Sequence, residues 1–307
     1  LKIAIIGAGI SGLSCAYELV RKGITPVIFE KNSFVGDQME YSSLWSRQHS
    51  STIIDSIKYL KKTFDLEITP MEKLRTIELI LPDKKMIDNG ELGYIFRRGK
   101  ESHSLEKQLE SKINAHIVFD SYIKIEDIKE SFDKIIVATG NNLIAKQHKL
   151  WTDTYTSQVR VATILGNFDT DGVKVWSNRS YAKNAFCYLV PNNALEASLV
   201  MIAKGITHNE LYYYWDTFIS KEGIFYNIIE VRDAELSFGF VPSHEKEQLY
   251  FIGNAVDFTD RFIGAGDFNA ILSGICAAKA VIENNSPDDS CKKLHNKIIY
   301  STLLHFY

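Results

Sequence analysis

The 307-residue chain has only six prolines, four methionines and four cysteines, and it has no apolar run long enough to span a membrane. Its charge is nearly balanced, at −3 with the histidines neutral. That removes the electrostatic basis for holding nucleic acid. Cys15, Cys187, Cys276 and Cys291 are scattered, with no C-x-x-C pair and no disulfide framework. They read as reduced thiols, and the expected location is cytoplasmic. The eight histidines show no metal-ligand spacing, so no metal site is expected; His103 and His208 read as surface or cap residues. The chain opens directly on an apolar strand, so no leader is expected. What remains is a globular chain, 45% apolar, long enough for one large domain or two closely joined ones.

The most informative stretch is the first thirty residues. Lys2-Ile3-Ala4-Ile5-Ile6 suits a strand buried on both faces of a parallel sheet. Gly7-Ala8-Gly9-Ile10-Ser11-Gly12 follows, a G-x-G-x-x-G turn that runs into a helical pattern over residues 13–20. A second apolar run, Pro26-Val27-Ile28-Phe29, ends in Glu30. Gly7 permits the tight turn, Gly9 lets a pyrophosphate approach the backbone, and Gly12 lets the helix pack close to the sheet. The helix start offers unpaired N–H groups and the positive end of its dipole to phosphate. Glu30 stands where an acid would accept hydrogen bonds from ribose hydroxyls, about 20 residues beyond the glycines. Strand, turn, helix and acid together point to a dinucleotide site.

Beyond Glu30, the loop at Gly36 suits close passage of backbone by a cofactor, or an ordinary surface turn. Residues 50–65 read as an amphipathic helix carrying Ile53, Ile54, Ile57, Leu60 and Phe64. Residues 74–87 have β character, broken by a turn at Pro82-Asp83. A helix is expected to begin near Ser102 or Ser104. Residues 116–119 read as the third parallel strand, and Lys134–Val137 as a buried strand ending in Ala138-Thr139-Gly140. That glycine lies at the carboxyl edge of the sheet, where such folds bind ligands. Residues 155–245 change in style. Gln158–Leu165, Gly172–Ser177, Ala185–Val190 and Ser198–Ile202 read as strands of an antiparallel sheet. His208–Ser220 reads as a helix whose aromatics, Tyr212 to Trp215, either line a cavity or pack beneath that sheet.

From residue 249 the nucleotide-domain style returns. Leu249–Ile252 is a strand followed by Gly253-Asn254, then a loop over 255–263, then Gly264-Ala265-Gly266 and a long helix over Ala270–Glu283. This is a second backbone-lined site with its own helix N-terminus. Two such sites at opposite ends of the chain fit one elongated cofactor: the first would hold pyrophosphate and adenosine. The second would set N–H groups beside a flavin's pyrimidine oxygen. Residues 292–306 read as an amphipathic helix, docked on the protein or, as the lesser alternative, lying on a membrane surface.

These motifs resemble the flavin-dependent reductases and hydroxylases of the glutathione-reductase/hydroxybenzoate-hydroxylase superfamily, and within it the geranylgeranyl reductase-like proteins. The resemblance rests on Gly7–Gly12 with Glu30, on Arg98 (with Arg97 the neighbouring candidate) ahead of a helix, and on Phe186-Cys187-Tyr188-Leu189-Val190-Pro191. Near the end it rests on Gly253-Asn254-Ala255-Val256-Asp257, Gly264-Ala265-Gly266, Ser273-Gly274 and Ala277-Ala278. Asn254 stands where the family has aspartate, keeping an acceptor and adding a donor. Arg261 replaces a loop proline, and Gly140-Asn141-Asn142 replaces an Asp-Gly motif of the hydroxylases.

The fold implied is α/β: a Rossmann-type FAD-binding domain built from both ends of the chain, with an inserted antiparallel β-sheet substrate domain. Residues 1–40, 92–145 and 247–284 would form the first, residues 41–91 and 146–246 the second, and residues 285–307 a helical tail. The residues expected to hold FAD are Gly7, Gly9, Ile10, Ser11, Gly12, Glu30, Lys31, Gly36, Arg98 (toward phosphate) and Ile123 (its backbone toward adenine). Thr139, Gly140, Gly253, Asn254, Gly264, Gly266 and Asn269 complete the set. The activity implied is FAD-dependent redox chemistry on an apolar organic substrate, with an isoprenoid-like alkene suggested by the resemblance. NAD(P)H or ferredoxin would be the electron source. A flavin monooxygenase or amine oxidase, and a non-catalytic flavin- or nucleotide-binding protein, are the alternatives. No catalytic acid or base is identified; His208, Tyr188 and Cys187 are candidates by location only.

Overall fold

A computed structural model describes residues 1–36, 40–47, 55–183, 185–256, 266–287 and 289. The apolar run Ile3–Ile6 is buried at every position, as a central parallel strand must be. It pairs in parallel with Val27–Phe29 on one side and Lys134–Val137 on the other. His116–Val118 extends the sheet beyond Val27–Phe29. Leu249–Phe251 adds in parallel to Lys134–Val137, so a strand from near the far end of the sequence completes the sheet begun at its start. The short strand Glu245–Lys246 closes that edge as a hairpin. Helices Ile10–Arg21 and Asp267–Glu283 cover one face over a core that includes Leu13, Leu19, Ile271 and Ile275. The other face is covered by the short helices Ile125–Ile128 and Leu143–Gln147, with Trp151 and Val256.

The intervening residues form an eight-stranded sheet. Its order is Asn227–Phe240, Thr152–Leu165, Glu196–Lys204, Phe186–Pro191, Gly172–Trp176, Glu72–Leu81, Lys84–Arg98 and Tyr41–Ser46. All neighbours are antiparallel except Glu72–Leu81 with Gly172–Trp176, which run parallel. That pairing is where two segments from separate parts of the sequence meet, so the sheet departs from a wholly antiparallel one at a single seam. Lys84–Arg98 runs unbroken through residue 92, the expected domain boundary, and stays in this sheet as far as Arg98. Asn227–Phe240, the longest unforeseen strand, carries a bulge at Ile229.

Helix His208–Lys221 lies on one face of the larger sheet. Thr207 and Glu210 cap it reciprocally: the Glu210 N–H donates to the Thr207 hydroxyl, and the Thr207 N–H donates to the Glu210 carboxylate at 2.8 Å. Leu211, Trp215 and Phe218 pack against Trp176, Leu199 and Met201, while Tyr212 and Tyr213 point outward. The core role of Trp215 follows from its spacing with Leu211 and Phe218. The helix expected over 50–65 is seen as Ser56–Phe64, capped by Asp55; Ile53 and Ile54 lie outside the described residues, as do most of the 255–263 loop and the 292–306 tail. Among the described residues no helix is long and apolar enough to cross a membrane, and no cluster is placed to hold a metal ion.

Candidate cofactor site

The site is built on three backbone approaches. Gly7 has φ +106°, and a Cβ there would overlap the Ala138 carbonyl at the end of the adjacent strand. A Cβ at Gly12 would strike the Gly7 carbonyl, so the helix start is pressed onto the turn. Gly9 differs: a Cβ there meets nothing within 4 Å. Gly9 is the N-cap of Ile10–Arg21, and no side chain caps that helix. Its first N–H groups therefore face an open cradle with the positive end of the helix behind it. This fits the pyrophosphate of a dinucleotide.

Glu30 is buried at the tip of its strand. The Ala8 N–H donates to its Oε2 at 2.7 Å, and the Asn32 N–H to its Oε1 at 3.0 Å. The carboxylate is thereby fixed beside the glycine turn, and its remaining lone pairs can accept from ribose hydroxyls. Ser11 and Ile10 are buried in the first helical turn, and Lys31 is exposed beside Glu30.

The second motif comes to the same place. Gly253 has φ +60°, and a Cβ there would lie 2.6 Å from the Ser11 hydroxyl oxygen. The Gly253 N–H donates to the Ser273 hydroxyl at 3.1 Å. A Cβ at Gly274 would overlap the Ser11 carbonyl and lie 2.8 Å from the Cys15 nitrogen. The two long helices therefore touch backbone to backbone, and the turn Gly253–Val256 sits against the start of the first. Asn254 is exposed on that turn, and Asn269 is buried in the first turn of Asp267–Glu283, directly after Gly266. Gly264 lies outside the described residues. Thr139 and Gly140 stand at the carboxyl end of strand Lys134–Val137, where a Cβ at Gly140 would meet open space. Ile123 packs with Ile125 and Ile128 on the opposite face of the sheet.

Two residues take places that the sequence did not reveal. Gly36 has φ +74°, and a Cβ there would overlap the Gly99 carbonyl, so it accommodates backbone of this chain just beyond Arg98. Asp267, the first residue of Asp267–Glu283, the last helix among the described residues, is buried and joins Arg98 in an ion pair. Arg98 also donates to Glu106 at 2.8 Å and to the Tyr41 hydroxyl at 3.0 Å. The Trp45 indole N–H donates to Asp267 at 3.3 Å. Burial acts to lower the Arg98 pKa, but Asp267 and Glu106 outweigh it and hold the guanidinium firmly charged. One cation thus fastens strand Tyr41–Ser46, strand Lys84–Arg98, helix Leu105–Glu110 and the last helix together at the start of the latter. Only the acid's place at the start of a helix signals it in the sequence.

Beside this cluster the larger sheet carries an apolar wall. Val159, Val161, Val200 and Ile202, all buried, form it, with Tyr41, Phe186 and Tyr188 packed on them. Tyr41 belongs to both the wall and the Arg98 network. Burial pushes its phenol up to about 12, with Arg98 opposing. Burial, then Tyr41 and Asp267, push the Tyr188 phenol higher still, so both hydroxyls keep their protons at neutral pH. Alternation along strand Phe186–Pro191 separates Cys187 from Tyr188, and His208 lies on a helix instead. Cys187 faces the helix-covered side, its thiol raised by burial, and His208 is exposed at the start of that helix, its ring 5.9 Å from Tyr212. Tyr188 alone lies on the wall.

Residues 2–134, which carry the glycine turn, Glu30 and Arg98, match the FAD dependent oxidoreductase family (DAO). The chain is similar in structure to a geranylgeranyl bacteriochlorophyll reductase-like protein from Thermoplasma acidophilum. The similarity covers 97% of this chain and 82% of that one, with a TM-score of 0.74 at 16% identity. A flavin-dependent brominase is similar over 97% of this chain and 83% of its own, with a TM-score of 0.69 at 14% identity. A 2-methyl-3-hydroxypyridine-5-carboxylic acid oxygenase is similar over 97% and 86%, with a TM-score of 0.62 at 13% identity. At these identities the likeness is one of fold. No curated protein matches the sequence. The family match gives FAD as the cofactor and oxidoreduction as the class of chemistry, and the open cradle at Gly9 with Glu30 beside it suits that cofactor.

Proposed function

We propose that this FAD-dependent oxidoreductase acts on an apolar organic molecule lying along the wall of the eight-stranded sheet, and that it reduces an isoprenoid-like carbon–carbon double bond. The observation that carries this reading is the wall itself: Val159, Val161, Val200 and Ile202, continuous with Tyr41 at the start of the last helix. A buried apolar wall that ends beside a helix N-terminus and a buried charge network suits a hydrocarbon substrate facing a redox ring. The fold likeness to the geranylgeranyl bacteriochlorophyll reductase-like protein supports the same choice.

When bound, FAD supplies the hydride chemistry. The chain's residues would do the rest. Gly9 and the N–H groups of the first helix would hold pyrophosphate, and Glu30 the ribose hydroxyls. Gly253, Asn254, Gly266 and Asn269 would lie along the inner part of the cofactor. Arg98 would hold Asp267, and with it the last helix, in position. The wall would exclude water and orient substrate. A reduced nicotinamide or ferredoxin would deliver electrons.

The test begins with the visible spectrum of purified protein and release of the chromophore by heat. Protein reduced anaerobically with dithionite is then mixed with geranylgeraniol. Saturation of the alkene with matching return of oxidised flavin is expected. An unaltered alkene, with flavin that reacts rapidly with oxygen only when an aromatic substrate is present, would overturn the reductase reading. That outcome would favour an oxygenase, the activity of the hydroxypyridine enzyme whose fold is similar.

A further inference from the structure

The edge strand Asn227–Phe240 has no counterpart in the function just described. It spans 14 residues, and among the described residues no strand pairs with its outer edge. Its first half is exposed on both faces, with Ile228, Ile229 and Val231 at 39%, 53% and 45% exposure. Phe225, at 92%, precedes it, and exposed Leu165 and Leu195 adjoin it through the ladder of strand Thr152–Leu165. A long open edge bearing apolar side chains is the kind of surface that other chains pair with.

We propose that this edge is the contact between two copies of the chain, joined antiparallel about a two-fold axis at Val231. Charge selects the partner and the register. The local sequence is Glu230-Val231-Arg232. Centring the axis on Val231 sets Glu230 of each copy opposite Arg232 of the other, giving two ion pairs from one symmetric contact. Centring on Glu230 or Arg232 places like charges face to face. Centring between Val231 and Arg232 sets Glu230 against Asp233. Within one chain Arg232 already reaches Glu230 at 2.8 Å, each about half exposed, so the exchange of partners needs little rearrangement. The bulge at Ile229 interrupts the ladder two residues from the axis. The shared rungs are therefore few, and the contact is completed by Phe225, Ile228 and Ile229, all exposed.

The test is the mass in solution of the full chain by sedimentation equilibrium across micromolar concentrations. The unaltered chain is expected to be a dimer. Glu230→Arg and Arg232→Glu, each alone, would set like charges across the axis and shift the chain to monomer. The double exchange would restore the dimer. Circular dichroism and flavin absorbance should be unchanged in all three variants, since both side chains are exposed and, among the described residues, form their ion pair only with each other. A monomer for the unaltered chain, or a dimer indifferent to both single reversals, would overturn the proposal.

Discussion

Gly253 and Ser11 stand face to face, so close that a single Cβ on the glycine would lie 2.6 Å from the serine hydroxyl oxygen. This contact brings the strand–glycine motif from the end of the sequence to the helix start from its beginning. Gly253→Ala is expected to destabilise the protein by about 1–3 kcal/mol, through the clash and the left-handed backbone. Urea unfolding checks the stability, and flavin absorbance per chain, which should fall, checks the site. Ser11→Gly in the same chain should recover part of the stability.

Gly9 and Gly12 separate cofactor binding from folding. Gly9→Ala adds a methyl group to open space, so the unfolding free energy of flavin-free protein should stay within about 0.5 kcal/mol of the parent. FAD binding, followed by fluorescence quenching, should weaken sharply. Gly12→Ala presses on the Gly7 carbonyl and should lower the stability of the flavin-free protein by about 1–3 kcal/mol. Equal effects on apoprotein stability would show that the cradle at Gly9 is not open.

Arg98→Met would leave the Asp267 and Glu106 carboxylates buried without their cation. Removing one member of such a buried set costs about 3–5 kcal/mol. The loss should be visible in denaturant midpoints and should persist at high salt, because buried charges are weakly screened. A variant of unchanged stability would mean that the guanidinium does not fasten the last helix.

Thiol reactivity should divide the cysteines by burial. Cys15 and Cys187 are buried and their thiols are raised by burial, so alkylation at neutral pH should leave both untouched in native protein while Cys276 is modified. Peptide mapping after iodoacetamide checks this; labelling of Cys187 without unfolding would contradict its place behind the sheet.

The glycine turn was legible because each glycine answers a separate local demand: a turn at Gly7, open approach at Gly9, helix contact at Gly12. Helix His208–Lys221 was legible from the spacing of Leu211, Tyr212, Trp215 and Phe218; its buried face is Leu211, Trp215 and Phe218, while Tyr212 is exposed. Strand Asn227–Phe240 was not, and the bulge at Ile229 explains why. One extra residue shifts the alternation, so no period of two survives across Ile228, Ile229 and Val231. Asp267 escaped notice because its partners, Arg98 and Trp45, come from distant parts of the sequence. Gly36 was legible as a glycine requirement, but its neighbour is the Gly99 backbone, which only the folded chain reveals.

The parallel seam between Glu72–Leu81 and Gly172–Trp176 governs the order of assembly during synthesis. The earlier strand emerges about ninety residues before its neighbour, a wait of roughly 5–20 s at ordinary translation rates. Throughout that interval the hairpin Glu72–Arg98 holds an unsatisfied row of backbone donors and acceptors. Truncation anywhere before Trp176 would make that exposure permanent, so a shortened nascent chain should be a client for chaperones and prone to aggregate.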